Sequence, residues 1–190
     1  MYQDKIEQAI NEHIRVATLS KENLFEVLPV MSTMITTAFK SEHKLMLCGN
    51  GGSAADAQHL AAEFVSSFSR QTNRRGLPAI ALTVDTSVLT AYSNDFDFNG
   101  VFSRQVEALG NKGDVLLVFS TSGKSENCIL AVHEAKKMGI FTLGFTGTEG
   151  ELKDLVDICL KVNSKNTQHI QEIHQVAYHA LAGLVENQMC

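Results

Sequence analysis

The spacing of apolar residues changes rhythm once along the chain, just after residue 40. Before that point they recur at helical intervals. Ile6, Ile10, Ile14 and Ala17 form one stripe and predict a helix from Gln3 to about Leu19. Ser20 can cap a second helix running to about Phe39, with Leu24, Val27, Leu28, Met31, Ile35 and Ala38 as its stripe. Pro29 interrupts that stripe and predicts a kink or a later start, because its ring blocks an interior helical hydrogen bond.

Beyond "SEHK" short apolar runs take over: "KLMLC", "AIALTV", "DVLLVFS", "IFTLGFT" and "DICLKV". Helical patterns separate them, at 54–68, 86–94, 99–109, 125–138 and 150–156, and another closes the chain at 168–188. Runs this brief and continuous predict strands buried on both faces. The expected fold is α/β, a doubly wound five-stranded parallel sheet flanked by helices. Residues 42–190 would form its core and 1–41 an N-terminal helical extension. Ligands in such sheets lie beyond the carboxyl ends of the strands, which directs attention to "GNGGS", "TVDTS", "STSGKS" and "TGTEG". The apolar faces of the first and last helices, the latter with Ile173, Val176, Ala180 and Leu184, either pack within the chain or form an oligomer interface.

Composition narrows the class. At 190 residues, 44% hydrophobic and 19% charged, the chain suits one globular domain. The opening "MYQDKIEQAINEH" is polar and is no signal peptide, and no apolar run reaches the roughly 20 residues that span a bilayer. A cytoplasmic location is the expectation. Cys48, Cys128, Cys159 and Cys190 lack CxxC spacing, so neither a disulfide framework nor a thiolate zinc site is indicated. A net charge of −5 argues against a nucleic-acid surface. An anionic ligand would need a local device to hold it.

"FSTSGKSEN", Phe119 to Asn127, offers one. A strand delivers Ser120, Thr121, Ser122 and Gly123 into a turn, and Ser125 opens the next helix. Backbone N–H groups and the positive helix terminus can then converge on a phosphate monoester. No GxxxxGK[ST] is present, which disfavours a nucleoside triphosphate. "GNGGS" is a second turn of this kind, in which Asn50 can bond sugar hydroxyls and Gly51, Gly52 and Ser53 lead into a helix. It lacks the third glycine of a dinucleotide fingerprint. His59 and Glu63 follow as i and i+4 neighbours among Ala54, Ala55, Ala57, Ala61 and Ala62. They read either as a solvated pair or as an acid–base pair on a thinly screened face. His169, His174 and His179 in the last helix do not share a face and read mostly as surface or interface residues. Gln171 and His179 are eight residues apart, roughly 12 Å along a helix. Either they do separate jobs, or two copies of the helix meet in one site.

"CGNGGSAADAQHLAAEF", "LTVDTSVLTAYSNDFDFNGVFSRQVEALGNKGDVL", "STSGKSEN" and "IQEIH…H" together resemble the sugar isomerase (SIS) domain family, and within it the bacterial phosphoheptose isomerases. The likeness runs from about residue 40 to the C-terminus, and the leading helices also fit. It implies an aldose–ketose isomerase converting D-sedoheptulose 7-phosphate to D-glycero-D-manno-heptose 7-phosphate for lipopolysaccharide core or capsule. It implies a homotetramer with active sites at subunit interfaces. It assigns substrate binding to Asn50, Gly51, Gly52, Ser53, Glu63, Asn94, Asp95, Ser120, Thr121, Ser122, Ser125 and Gln171. Glu63 would be the base and His179 the partner acid/base. Some members bind zinc, here one ion per subunit on His59, Glu63, Gln171 and His179.

The resemblance has two departures. Ser67 stands where the family often has arginine, and Arg70, Arg74 or Arg75 is a candidate replacement; His169 likewise precedes "IQE" where arginine is common. Two other readings remain at this point. One is a non-catalytic relative that regulates initiation of DNA replication, which would lack the Glu and His that this chain keeps. The other is an isomerase of a different sugar phosphate.

Overall fold

The computed structural model describes residues 2–190. Its sheet is built from β1 (Leu45–Gly49), β2 (Ala79–Ala81), β3 (Val115–Ser120), β4 (Phe141–Thr146) and β5 (Ile158–Lys161). All neighbours pair in parallel in the order β2-β1-β3-β4-β5, with Leu45 opposite Val115 and Val115 opposite Phe141. The chain winds outward from β1 one way and from β3 the other. Between those two strands lies the switch point, where the connections leave on opposite faces and open a crevice.

Strand side chains alternate between two cores. Leu45, Leu47, Val115, Leu117, Phe119, Leu143 and Phe145 face one core, shared with α1 (Tyr2–Lys40), α2 (Gly52–Val65) and α7 (Thr167–Met189). Met46, Cys48, Leu116 and Val118 face the other, shared with α4 (Val101–Leu109) and α5 (Glu126–Lys137). Burial of both faces is why the runs read as continuous rather than alternating.

Two local expectations are corrected. The N-terminal region is one 39-residue helix, α1, and not two. Ser20 does not cap: it is buried in mid-helix, and its Oγ accepts the backbone N–H of Asn163. Pro29 sits inside the same helix and ends nothing. Burial of Leu28, Met31, Ile35 and Phe39 against the sheet core outweighs the missing hydrogen bond, while Ser32 and Thr33 hydroxyls donate back to the Pro29 carbonyl. The second correction is β2, which stops at Ala81 although the apolar run continues to Val84. There the Asp85 carboxylate accepts the Val88 N–H and starts α3 (Thr86–Asp95), so "TVDTS" is a helix cap. The short α6 (Leu152–Leu155) lies between β4 and β5.

Helix α1 runs over α7, and one shared carboxylate joins them. Glu172 lies 2.9 Å from His13 Nδ1 and 2.9 Å from His169 Nδ1. Toward its N-terminus α1 leaves the core, and Ile6, Ile10 and Ile14 are each more than half exposed.

Candidate active site

Strand β3 ends at Ser120, where the chain turns through Thr121–Lys124 into α5. Gly123 takes φ +63°, and a Cβ there would run into the Glu149 carbonyl, so the turn requires glycine. Ser125 is the N-cap of α5 yet makes no side-chain capping bond; its Oγ lies 2.9 Å from Ser120 Oγ. The first turn of the helix is thus left without a side-chain acceptor, and an anion placed there would complete it.

The loop after β1 is tied to this turn. Asn50 and Asn127 exchange amide hydrogen bonds of 2.8 and 2.9 Å, each side chain donating to the other's Oδ1. The pairing uses one donor and one acceptor of each amide and bridges the ends of β1 and β3 across the switch point. Ser53 is buried, with its N–H donating to the Asn50 carbonyl. Gly52 opens α2 because the Gln171 amide lies against it: a Cβ at Gly52 would stand 2.6 Å from Gln171 Nε2.

Helices α2 and α7 run side by side in one direction, with Gly52 at Gln171 and His59 at Tyr178, and Phe68, just past the end of α2, lies against Gly183. Alanine spacing on α2 explains the close approach: Ala57 and Ala61 face the core, while Ala55 and Ala62 are exposed and leave the adjoining face bare. On that face His59 Nε2 lies 3.0 Å from Glu63 Oε1. His59 Nδ1 lies 2.9 Å from the Tyr178 hydroxyl. The His179 ring packs edge-on to His59 at 5.0 Å between centroids. Ligand atoms of His59, Glu63 and His179 all fall within 4.8 Å of one another. Two imidazole nitrogens and a carboxylate oxygen are a donor set suited to catalytic zinc, which takes three protein ligands and leaves a position open. One turn earlier, Asp56 is buried with Oδ2 lacking a hydrogen-bond partner, and burial raises its carboxyl above the usual range. Burial, reinforced by the negative Asp56 and Glu63, pushes the Tyr178 phenol up to about 12, so its proton stays on.

The single chain therefore gathers Asn50, Gly52, Ser53, Ser120 and Ser125 at the switch point and His59, Glu63 and His179 along the α2–α7 seam. Gln171 stands at the loop end of that seam and His179 two turns farther on, so within one chain they serve different parts of it. Asn94 and Asp95 lie exposed at the end of α3, where Asn94 Nδ2 donates to Asp95 Oδ1 over 2.8 Å. Of the histidines read as surface or interface residues, His174 is in fact fully buried against Phe119 and Phe145, and His169 is nearly so. Arg74 is not free to replace the family arginine. Its buried guanidinium bonds Glu186 and caps the end of α2 through the carbonyls of Glu63 and Phe64. Asn127 and Tyr178 had no sequence signal of their own beyond lying in "STSGKSEN" and beside His179.

The SIS domain model matches residues 8–147. A phosphoheptose isomerase of Burkholderia pseudomallei (strain 1710b) is 49% identical over 177 residues, covering 93% of this chain and 89% of its own. One from Roseiflexus sp. (strain RS-1) is 50% identical over 184 residues, covering 96% and 90%. Among solved structures, phosphoheptose isomerase GmhA from Neisseria gonorrhoeae superposes with TM-score 0.92 at 37% identity, covering 98% of this chain and 100% of that one. A phosphoheptose isomerase from Francisella tularensis superposes with TM-score 0.94 at 34% identity, covering 98% and 99%. The chain belongs to the SIS domain family and, within it, to the phosphoheptose isomerases.

Proposed function

We propose that this chain converts D-sedoheptulose 7-phosphate to D-glycero-D-manno-heptose 7-phosphate, and so supplies heptose for bacterial lipopolysaccharide core or capsule. The observation that carries the reading is the Glu63 carboxylate, braced by His59 and close to His179, on a helix that begins at the loop tied to the serine turn. The phosphate would sit on the first turn of α5 and the hydroxyls of Ser120, Thr121, Ser122 and Ser125. Gln171, with Asn94 and Asp95, would orient hydroxyls of the sugar. Remote anchoring of this kind gives binding energy for positioning at the reacting carbons.

The reaction moves one proton between neighbouring carbons and redistributes protons on two oxygens. Glu63 takes the proton from C1 and returns it to C2 through the enediol, while His179 moves protons on the oxygens. His59, Glu63 and His179 would hold a zinc ion, which as a Lewis acid polarises a carbonyl. Gln171, the fourth ligand implied by the family, has its amide at Gly52 in this chain. We also place the protein in the cytoplasm as a homotetramer with active sites at its interfaces. Support for an oligomer comes from the exposed Ile6, Ile10 and Ile14 and from an apolar groove of about 710 Å³ between α1 and α7 that reaches His179. No helix among the described residues is long and apolar enough to cross a membrane.

The test is turnover of sedoheptulose 7-phosphate in deuterated water, followed by NMR, beside Glu63→Gln. The parent is expected to yield aldoheptose phosphate carrying solvent deuterium. The variant should lose about 10²–10⁴-fold, the usual contribution of a positioned base. Equal rates would remove Glu63 from the mechanism, and no product with the parent would remove the substrate assignment.

A further inference from the structure

Three rings meet where α2 touches α7. His59 lies edge-on to Tyr178 at 5.3 Å and to His179 at 5.0 Å, and Tyr178 and His179 are 4.5 Å apart. Only one of the three is anchored in the core. Tyr178 is 1% exposed and packs edge-on to Phe119, whereas the His59 side chain is 49% exposed. An imidazole that open to solvent would turn about its χ2, presenting either ring edge. It has two polar partners instead: the Tyr178 hydroxyl at Nδ1 and Glu63 Oε1 at Nε2.

We propose that Tyr178 is a positioning residue whose hydroxyl fixes the orientation and tautomer of His59, so that Nε2 is always the nitrogen offered to the Glu63–His179 cluster. The chemistry of the partners dictates which proton sits where. A carboxylate only accepts, so in the metal-free neutral ring Nε2 carries the hydrogen and donates to Glu63. Nδ1 is then bare, and the Tyr178 O–H donates to it. When Nε2 gives its lone pair to a metal, the hydrogen must reside on Nδ1, and the same hydroxyl oxygen can accept it. A phenol serves both states without moving, because its oxygen is donor and acceptor. No side chain limited to one role could do so. The ring flip that would bring carbon to the cluster breaks both bonds at once.

This inference rests on the reading of His59, Glu63 and His179 as the working cluster, but its test does not depend on turnover. Long-range ¹H–¹⁵N spectra of the metal-free protein near pH 8, with His59 assigned by His59→Gln, report which ring nitrogen bears hydrogen. The parent should give one fixed form, protonated at Nε2. Tyr178→Phe keeps the ring and its packing but removes the hydroxyl, and His59 should then exchange between tautomers. Zinc binding, read by competition with a chelating dye, should weaken about 10–100-fold in Tyr178→Phe, the usual effect of losing a partner behind a metal-binding histidine. Identical His59 spectra in parent and variant, or zinc affinities within twofold, would overturn the proposal. If Tyr178→Phe does not fold, the parent spectrum decides: one Nε2-protonated form supports the clamp and tautomer averaging refutes it. A parent that shows the fixed tautomer but no isomerase turnover would leave the clamp standing and sink only the substrate assignment. The converse result would do the opposite.

Discussion

Replacing Glu186 by glutamine should unfold the protein's edge before it touches the chemistry. Glu186 is 3% exposed, and its carboxylate accepts three N–H groups: Phe68 at 3.1 Å, Ser69 at 2.9 Å and Arg74 Nε at 2.8 Å. Burial alone would raise this carboxyl, but the guanidinium and the two backbone donors outweigh it and hold it below the usual range. Arg74 in turn donates to the Glu63 and Phe64 carbonyls at 2.7 and 2.8 Å, so one buried charge pair fastens the 66–77 segment to α7 and closes the last turn of α2. Glutamine has one acceptor oxygen for three donors and turns an N–H₂ toward the others, leaving the buried arginine charge unpaired. Breaking such a pair from one side costs about 3–5 kcal/mol. In a chain of this length that is a fall of roughly 6–20 °C in thermal midpoint. Circular dichroism melts of the parent, Glu186→Met, Arg74→Met and the Glu186→Met/Arg74→Met double variant form a cycle, with Glu186→Gln melted beside it. The double variant should cost less than the sum of the singles, because no lone charge remains, yet not return to the parent, because the Phe68 and Ser69 N–H groups stay orphaned at about 1–3 kcal/mol each. A Glu186→Gln shift under about 2 °C, or a strictly additive cycle, would refute the clasp.

His174 is fully buried, its Nε2 3.4 Å from the Thr146 carbonyl and its Nδ1 without a partner, and burial pushes its pKa from 6.5 down to about 4. Between those values the unfolded chain takes up a proton that the native chain refuses, so stability present above pH 6.5 falls as pH drops toward 4, by about 3 kcal/mol. Urea midpoints measured from pH 7 to 4 should fall less steeply in His174→Gln, and parallel curves would contradict the assignment. Removing zinc by chelation should lower turnover, with recovery on adding zinc back; full activity at no bound metal would show the ion inessential. Sedimentation should give four times the 20.8 kDa chain mass, and Ile10→Asp should lower that mass; a monomeric parent would end the interface reading.

The fold was legible because burial on both faces leaves a mark in the chain. "KLMLC" and "DVLLVFS" could stay so continuously apolar only as inner strands of a covered sheet, and they are β1 and β3. Ends of elements were less legible, since they depend on partners far away in sequence. Ser20 had every local feature of a cap, but the Asn163 N–H claimed its oxygen. Pro29 had every local feature of a break, but a long buried face carried the helix past it.

The site divides along the same line. Motifs that act through their own backbone, such as "STSG" with its positive-φ Gly123, announce themselves locally. His59 and Glu63 do too, being neighbours on one helix. Partners that act across elements do not. Nothing beside Asn50 indicates that Asn127, 77 positions on, will share its amide, and nothing beside His59 indicates a phenol 119 positions away. Both pairs exist because a parallel sheet sends β1 and β3 in one direction and lays α2 and α7 alongside each other in a common direction. A residue in one helix then meets the residue at a fixed offset along its neighbour, as Gly52 meets Gln171 and His59, seven residues on, meets Tyr178. An isolated helix would leave Glu63 a solvated surface acid. Placed in register with α7, it has an imidazole on either side and a buried phenol behind one of them, and that register is set by the sheet rather than by either helix.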